Sequence, residues 1–213
     1  MQEKITKGDF IELEFTGKTK SGEIFDTNIK EEAEKINLNI ETRPLIICIG
    51  QNMILQAIDE FLIGKEIGEY KLELTPEKAF GKRNKELVKM MPLSVFIKHN
   101  IKPEPGLLFS FDGILGKILT SGSRILVDFN NPLADKEIIY ELRIKRKVIN
   151  QEEKVKSLIL FYFKKELDFE IKDKTLIINS KEPDKRLIEL FSSKFKEILN
   201  LELEVKEIEE KKG

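Results

Sequence analysis

The sequence predicts an α+β fold, with a β-rich first part around one short helix and a smaller α/β region at the C-terminal end. In the first part, apolar residues such as Ile11, Leu13 and Phe15 alternate with glutamates, as in half-buried strands. After Asn150 the apolar residues recur every three or four positions, which is typical of an amphipathic helix. This change of periodicity divides the 213 residues into two regions.

Short strands separated by turns account for most of the first region. A second clear alternation places Tyr70, Leu72 and Leu74 on one face of a strand. Turn-forming pairs follow at Ser21-Gly22, Pro105-Gly106, Asp112-Gly113, Ser121-Gly122 and Asn131-Pro132. One early helix is predicted over residues 53–63, because Gly64 is well placed to end it.

The second region is predicted to run in the order helix, strand, strand, helix, strand. Its first helix carries apolar residues at helical spacing: Val155, Leu158, Ile159, Tyr162 and Phe163. The later elements are predicted as strands at 168–171, 175–179 and 201–205 and a helix carrying Leu187, Leu190, Phe191, Phe195 and Ile198. A region of about 60 residues rarely buries a sufficient core by itself, so we expect it to share apolar surface.

The composition excludes several function classes. Lysine plus arginine is 37 and aspartate plus glutamate is 38, so the net charge of −1 does not favour a nucleic-acid partner. The basic run 143–147 continues a strand alternation and is interpreted as a solvated strand end rather than a nucleic-acid patch. No apolar run approaches the roughly 18 residues of a membrane span, and no apolar signal region begins the chain. We therefore expect a cytoplasmic protein that binds no membrane.

One cysteine and one histidine limit the possible chemistry. Cys48 has no cysteine partner in the chain and lies in an apolar run, where a buried strand residue is expected. His99 lies in a polar stretch, and no second histidine is present to complete a zinc site or a serine triad. We therefore expect no metal and no cofactor.

Phe25-Asp26-Thr27 follows the Ser21-Gly22 turn, although an acid after a strand often only caps a turn. Its neighbours extend the pattern into four motifs, at residues 15–27, 49–59, 64–69 and 76–81. In their order and spacing these motifs resemble those of FKBP-type peptidyl-prolyl cis/trans isomerases. After Gly81 the chain carries an insertion and returns at 127–140, which resembles SlyD-like members with an insert-in-flap domain. Residues 150–213 are similar in size and element order to the extra domain of long archaeal members.

The resemblance implies an antiparallel half-barrel sheet around a short helix, with an apolar pocket for a proline side chain. It divides the chain into an isomerase domain (1–83 and 128–149), a small β-rich insert-in-flap chaperone domain (84–127) and a C-terminal αββαβ domain (150–213). The implied activity is rotation of Xaa-Pro bonds in unfolded or partly folded polypeptides. Because the barrier is amide resonance of about 18–20 kcal/mol, rotation needs neither nucleophile nor metal.

The resemblance also implies the site residues. The catalytic positions are Phe25, Asp26, Leu55, Phe80 and Tyr140, and the other pocket positions are Phe15, Leu45, Ile54 and Ile58. In the family, the backbone amide at the Leu55 position holds a substrate carbonyl, and the acid at the Asp26 position lies beside the rotating bond. Apolar residues of the insert are expected either to bind clients or to form its own core: Met90, Met91, Leu93, Phe96, Leu108 and Phe109.

Three departures from the family leave more than one function open. The family usually has tyrosine where this chain has Phe15 and Phe80, and often tryptophan where it has Ile58. A lost hydroxyl donor costs about 1 kcal/mol of transition-state stabilisation, roughly a fivefold lower rate. The chain is therefore either an isomerase with chaperone activity or a holdase chaperone with a weak pocket. A plain interaction module, in which the aromatic residues serve only as core, is the third interpretation.

Residues 150–213 are expected to make the protein a homodimer. Leu158, Leu160 and Phe161 place apolar groups on more than one side of the first helix, so something must cover them. A second copy of the region in a closed twofold pair is the expected cover. The alternative is a monomer in which the region docks on the isomerase domain.

Overall fold

The computed structural model describes residues 3–37, 42–43, 45–111, 113–180 and 184–207. Within these residues the strands are β1 (Phe10–Thr19), β2 (Ile24–Thr27), β3 (Leu45–Cys48), β4 (Gly68–Leu74), β5 (Val88–Pro92), β6 (Leu108–Phe111), β7 (Ile114–Ile118), β8 (Arg124–Asp128), β9 (Ile138–Lys147), β10 (Phe169–Lys172), β11 (Thr175–Ser180) and β12 (Glu202–Glu207). The α-helices are α1 (Lys30–Lys35), α2 (Gln56–Leu62), α3 (Leu93–Lys98), α4 (Gln151–Phe163), α5 (Asp184–Glu189) and α6 (Ser192–Leu199). The predicted α+β class is confirmed.

β1 and β9 are the long strands of the first sheet, in which the described strands follow the order β2-β1-β9-β4 and β3 also pairs with β1. β3 runs antiparallel to β1 and places Leu45 opposite Leu13. Alternation buries Leu13 and Phe15 in β1, and Tyr140 and Leu142 in β9. The strand patterns read from the sequence are therefore confirmed for β1 and β4.

The chain divides into two compact units. The first unit holds Met1–Gly17, Ile24–Leu72 and Tyr140–Gly213, and the second unit holds Lys18–Glu23 and Glu73–Ile139. The first unit thus contains most of the predicted isomerase core and the whole C-terminal region. The second unit contains the predicted insert.

The helices near the N-terminal end differ in detail from the prediction. α2 begins at Gln56 rather than at Met53, and Gly64, with a φ of 80°, follows shortly after it as predicted. α1 was not predicted, because its residues are mostly charged and it buries Ala33 alone. Its sequence carries no apolar periodicity that could have indicated a helix.

The C-terminal region packs onto the first sheet within the first unit. α4 buries Val155, Leu158 and Ile159 in one apolar cluster with Phe10 and Cys48. The strands of the region form a sheet in which β10 is antiparallel and β12 is parallel to β11. The expectation that this region shares apolar surface is confirmed, and part of its cover is intramolecular.

The second predicted helix of the C-terminal region is divided into α5 and α6. The division falls at Phe191, whose ring centroid lies 4.6 Å from that of Tyr162 and 5.4 Å from that of Phe163. Leu190, the preceding residue, is 77% exposed. The apolar spacing predicted one continuous helix, and the packing of Phe191 against the end of α4 accounts for the interruption.

In the second unit, the insert consists of a sheet with the strand order β5-β8-β7-β6 and of helix α3. Its buried core residues are Phe96, Phe109, Ile118, Ile125 and Val127.

A polar network joins the two ends of the insert. Arg83 pairs with Asp128 at 2.5 Å, and the Asn130 amide donates to the same carboxylate at 2.6 Å. The Asn130 side chain also accepts from the Asn84 N–H at 2.8 Å and donates to the Asn84 carbonyl at 3.0 Å. We call Arg83, Asn84, Asp128 and Asn130 the root network, because these bonds fasten the two ends of the insert together.

The basic residues at the end of β9 pair with carboxylates. Lys145 Nζ lies 3.0 Å from Glu14, and Arg146 lies 2.7 Å from both Glu12 and Glu153. These ion pairs agree with the interpretation of the run as a solvated strand end. In the described part of the chain, no helix has the length and apolar composition needed to cross a membrane.

Candidate functional site

Three aromatic rings of the first unit lie together on the sheet. The Tyr140 ring on β9 lies 5.8 Å from the Phe25 ring on β2, edge to face at 86°, and 6.2 Å from the Phe15 ring on β1. Phe15 and Tyr140 are buried, and Phe25 is half-buried. Aromatic pairs of this kind contribute about 0.5–1.5 kcal/mol beyond their apolar burial. We call Phe15, Phe25 and Tyr140 the aromatic cluster.

Gly17 on β1 allows the aromatic cluster to close. A Cβ atom at this position would lie 2.7 Å from Phe25 Cζ and 2.9 Å from Tyr140 Cε1, so the rings would have to move apart. Glycine is therefore required here by space. The sequence interpretation treated Gly17 only as part of a motif and missed this role. The signal was the short spacing between Phe15 and the glycine, which puts both on the same face of a strand.

Hydrogen bonds fix the end of β2 to β1. Thr27 Oγ1 donates to the Phe15 carbonyl at 3.0 Å, and the Asn28 side-chain oxygen accepts from the Phe15 N–H at 2.7 Å. Thr27 is buried, so its bond is shielded from water. Because Phe25 and Asp26 directly precede Thr27, these bonds hold them beside Phe15.

Asp26 is the acid of this site. The residue as a whole is exposed, yet desolvation of its carboxyl raises the pKa above the ordinary value of 3.8, and the hydrogen bond from the Thr27 N–H opposes this only in part. Desolvation also raises the pKa of Tyr140, and the negative charge of Asp26 adds to that rise. Tyr140 therefore stays protonated, and the Asp26 charge lies near enough to act on it.

The other predicted pocket positions of the first unit lie on β3 and around α2. Leu45 in β3 is half-buried, as are Ile54 and Leu55 before α2, whereas Ile58 within α2 is fully buried. Leu55 is the N-cap residue of α2, and its carbonyl accepts the Ile58 N–H at 2.8 Å. Ile58 therefore packs as a core residue of the helix. Phe80 belongs to the second unit, where it is half-buried.

Asp59 on α2 organises the turn that precedes the helix. Asp59 is only 3% exposed, and its carboxylate accepts from the Gly50 N–H at 2.9 Å and from the Asn52 N–H at 3.0 Å. Gly50 and Asn52 have φ values of 85° and 52°, in the left-handed region. The sequence interpretation missed this role as well. The sequence signal that could have indicated this role is an acidic residue directly after the apolar Ile58 of a short predicted helix.

The insert exposes some apolar side chains and buries others. The strongly exposed ones are Met90 at 60%, Ile97 at 63%, Leu108 at 52% and Ile114 at 58%. Met91 and Leu93 are half-buried against the insert core. Phe96 and Phe109 lie within that core, with ring centroids 5.3 Å apart. This placement corrects the interpretation of these two rings as client contacts, because burial keeps them from an incoming chain.

The remaining reactive side chains have ordinary surroundings. Among the described residues, no group of three or more His, Cys, Asp and Glu side chains is arranged to hold a metal ion. Cys48 is buried in β3 as predicted, and burial raises the pKa of its thiol to about 12. His99 is exposed at the end of α3, with its ring centroid 4.7 Å from that of Phe111.

The antiparallel sheet, the short helix and the aromatic cluster beside Asp26 define the class of protein that the motifs predict, a peptidyl-prolyl isomerase. The family described as FKBP-type peptidyl-prolyl cis-trans isomerase matches residues 1–110, which is more than half of the chain. The family described as FKBP26, IF domain, matches residues 89–133. The chain belongs to the FKBP-type peptidyl-prolyl cis-trans isomerases, and the SlyD-like resemblance read from the sequence is confirmed.

Several known proteins are similar to this chain. The short-type peptidyl-prolyl cis-trans isomerase of Methanocaldococcus jannaschii is 29% identical over 146 residues, covering 66% of this chain and 92% of that protein. The isomerase SlyD of Aeromonas hydrophila is 25% identical over 146 residues, covering 67% of this chain and 64% of that protein. The crystal structure of the three FKBP domains of wheat FKBP73 aligns with a TM-score of 0.38 and 14% identity, over 70% of this chain and 42% of that chain.

Proposed function

We propose that the aromatic cluster and Asp26 form the pocket in which this isomerase rotates Xaa-Pro bonds. The observation that carries the proposal is that the Phe25 and Tyr140 rings close over Gly17, with Phe15 on the other strand beside Tyr140, next to a partly desolvated carboxylate. A ring enclosure of this kind suits an apolar, cyclic side chain such as proline. The roles of Leu55 and Phe80 are proposed from the family motifs that they occupy.

Rotation of a prolyl bond requires the planar amide to lose its resonance, a barrier of about 18–20 kcal/mol. A twisted amide is less polar than a planar one, so an apolar wall that excludes water favours the twisted form. Phe15, Phe25 and Tyr140 supply such a wall. The Asp26 charge lies at its edge and is placed to act on the amide as charge shifts away from the carbonyl. No bond to the protein forms or breaks.

We propose that the Leu55 backbone N–H holds the substrate carbonyl. Leu55 stands at the start of α2, and the turn before it is fixed by the hydrogen bonds of Asp59. The direction of the Leu55 N–H is therefore set by the backbone. If this amide holds the residue before proline while the cluster encloses the ring, rotation occurs about the bond between them.

The exposed apolar side chains of the insert are proposed to bind unfolded chains. Met90 on β5, Leu108 on β6 and Ile114 on β7 are each more than half exposed. Flexible aliphatic and methionine side chains adapt to many sequences. The proposed protein is thus a folding catalyst that holds proline-containing polypeptides through its insert. The second candidate, a holdase with a weak pocket, is favoured by Phe15, which lacks the hydroxyl of the family's usual tyrosine.

A homodimer through residues 150–213 stays a prediction. The apolar side of α4 already packs onto Phe10 and Cys48, which is the intramolecular alternative for that surface. Leu187 and Leu190, at 49% and 77% exposure, are the side chains that a second copy would cover. Light scattering of the full chain and of the variant Leu190→Ser tests this. A monomeric full chain at micromolar concentration would contradict dimerisation.

Exchange NMR on a short Xaa-Pro peptide tests the proposed pocket. We expect Asp26→Asn and Phe25→Ala to lower the catalysed exchange by about tenfold or more, equivalent to about 1.4 kcal/mol. The matched controls are Asp173→Asn, at an exposed turn with a φ of 52° that asparagine tolerates, and Phe161→Ala on α4. Undiminished exchange in both folded pocket variants would exclude this site. Client holding without any peptide exchange would favour the holdase.

A further inference from the structure

We infer that the C-terminal region positions the isomerase pocket, because α4 and α6 hold the turn 50–53 that leads directly into Ile54 and Leu55. The inference rests on the proposed role of Leu55 as the residue whose N–H binds the substrate carbonyl. Leu158 on α4 and Glu197 on α6 are the positioning residues, and they act through the turn rather than by touching the substrate.

The turn is held on one side by Asp59. This buried carboxylate accepts the Gly50 N–H with both oxygens, at 2.9 and 3.0 Å, and the Asn52 N–H at 3.0 Å. Hydrogen bonds are electrostatically stronger in a buried site than in water. They fix the backbone of the turn toward α2, but they do not reach Met53, which separates the turn from Ile54.

The C-terminal region holds the other side of the turn. Met53 packs against the apolar cluster that contains Leu158 and Cys48, and the Met53 sulfur accepts the Cys48 N–H at 3.2 Å. The Gln51 side chain hydrogen-bonds the Glu197 carboxylate. The ion pair with Lys194 and this bond both lower the pKa of Glu197, so it is ionised at neutral pH. Apolar packing and a polar contact thus meet the turn from α4 and α6.

Ion pairs keep α4 in place against the sheet. Arg146 on β9 donates to Glu12 on β1 at 2.7 Å and to both carboxylate oxygens of Glu153 on α4, at 3.0 and 2.7 Å. The Asn150 side chain caps α4 by accepting the Glu153 N–H at 3.0 Å. Lys154 Nζ lies 5.4 Å from the centre of the Phe10 ring. The connection between β9 and α4 is therefore short and fixed, so a change on the side of α4 that packs against β3 is passed on to the turn, whereas Ile188 meets the same apolar cluster from α5.

The test compares two equal truncations in the full chain. Leu158 is fully buried on α4, which contacts β3, whereas Ile188 is 1% exposed on α5, which contacts β12. We expect Leu158→Ala to raise KM for a short Xaa-Pro peptide about fivefold or more, with kcat within about twofold, because a small displacement of a binding group weakens binding steeply. We also expect the Gly50 and Asn52 amide protons to exchange about tenfold faster with deuterium. Ile188→Ala should leave both quantities within about twofold.

A second pair of variants changes an exposed side chain on α6. The Glu197 side chain is 57% exposed, so Glu197→Ala should fold, raise KM about twofold and speed amide exchange at residue 52. Glu197→Gln keeps an acceptor for Gln51 and should restore KM. Equal effects of Leu158→Ala and Ile188→Ala, or unchanged exchange at Gly50 and Asn52 in every variant, would overturn the inference. If the unaltered chain does not isomerise the peptide, the proposed pocket fails instead, and the amide exchange still decides whether α4 and α6 hold the turn.

Discussion

The aromatic cluster and the exposed apolar side chains of the insert use similar residues in opposite ways. Phe15 and Tyr140 are 8% and 3% exposed, and the Tyr140 ring meets both Phe15 and Phe25, the latter over Gly17. Met90 and Ile114, at 60% and 58% exposure, lie on separate strands and are open to solvent. A rigid enclosure selects one kind of side chain by shape, whereas an open, adaptable surface accepts many. The difference predicts that catalysis at the proposed pocket and the proposed client binding can be separated by mutation.

The largest effect is expected from Gly17→Ala, which disturbs the packing of the aromatic cluster and leaves the insert unchanged. The added methyl would lie 2.7 Å from Phe25 Cζ and 2.9 Å from Tyr140 Cε1, so the rings must separate. We expect peptide isomerisation to fall about tenfold or more and stability to fall by about 1–3 kcal/mol. Exchange NMR and urea denaturation measure the two quantities.

The matched control is Gly116→Ala in the insert. Its added Cβ would lie 3.0 Å from both Phe129 Cε1 and Val127 Cγ1, a somewhat milder crowding in the other unit. This variant should loosen the insert core while keeping peptide isomerisation within about twofold. Full activity of Gly17→Ala, or an equal loss in both variants, would remove the distinction between the two regions.

The opposite change removes exposed apolar side chains from the insert and leaves the aromatic cluster unchanged. Replacing Met90, Leu108 and Ile114 with serine should lower suppression of client aggregation several-fold, because the adaptable apolar contacts are lost. Peptide isomerisation should be unchanged, while proline-limited refolding of whole proteins should slow. The control replaces three other exposed apolar residues with serine: Ile63, Ile67 and Leu190. Equal loss of client holding in this control would show that any exposed apolar residue serves.

A smaller effect on stability is expected at Asp26, where activity and stability should move in opposite directions. Burial raises its pKa, so the folded chain binds the proton more tightly than the unfolded chain does. The resulting stabilisation is full below the ordinary pKa of 3.8 and is lost as pH rises through the higher folded-state pKa. Asp26→Asn should therefore be equal to or more stable than the unaltered chain at pH 7, with the difference shrinking toward pH 4. Urea denaturation at both pH values, with Asp173→Asn as control, measures this, and a clear loss of stability at pH 7 would contradict it.

The sequence predicted the fold class and most strands because alternation and turn residues are local properties. β1, β4 and α4 follow directly from the spacing of residues such as Leu13, Leu72 and Leu158. The aromatic cluster was reached through motif order, since no local pattern shows that Phe15, Phe25 and Tyr140 meet across three strands. Its members were therefore predictable only with the family resemblance.

Features that depend on packing between distant segments could not be predicted. The spacing of Leu187 to Ile198 indicated one helix, and only the position of Tyr162 and Phe163 explains its division at Phe191. Apolar residues on α4 showed that a cover was needed but not that Phe10 and Cys48 supply part of it. Asp59 and Gly17 belong to the sequence motifs, but their structural roles depend on distances between segments that the sequence does not show.

The root network makes the insert replaceable. The hydrogen bonds and ion pair of Arg83, Asn84, Asp128 and Asn130 hold the two ends of the insertion side by side. The insertion is therefore a loop that is closed at its base, whatever segment lies between its ends. Each doubling of such a loop costs only about 0.6 kcal/mol in closure entropy. A shorter turn or a foreign domain can therefore be spliced in at this point, and the inserted segment can diverge between descendants of the chain while its two ends stay side by side.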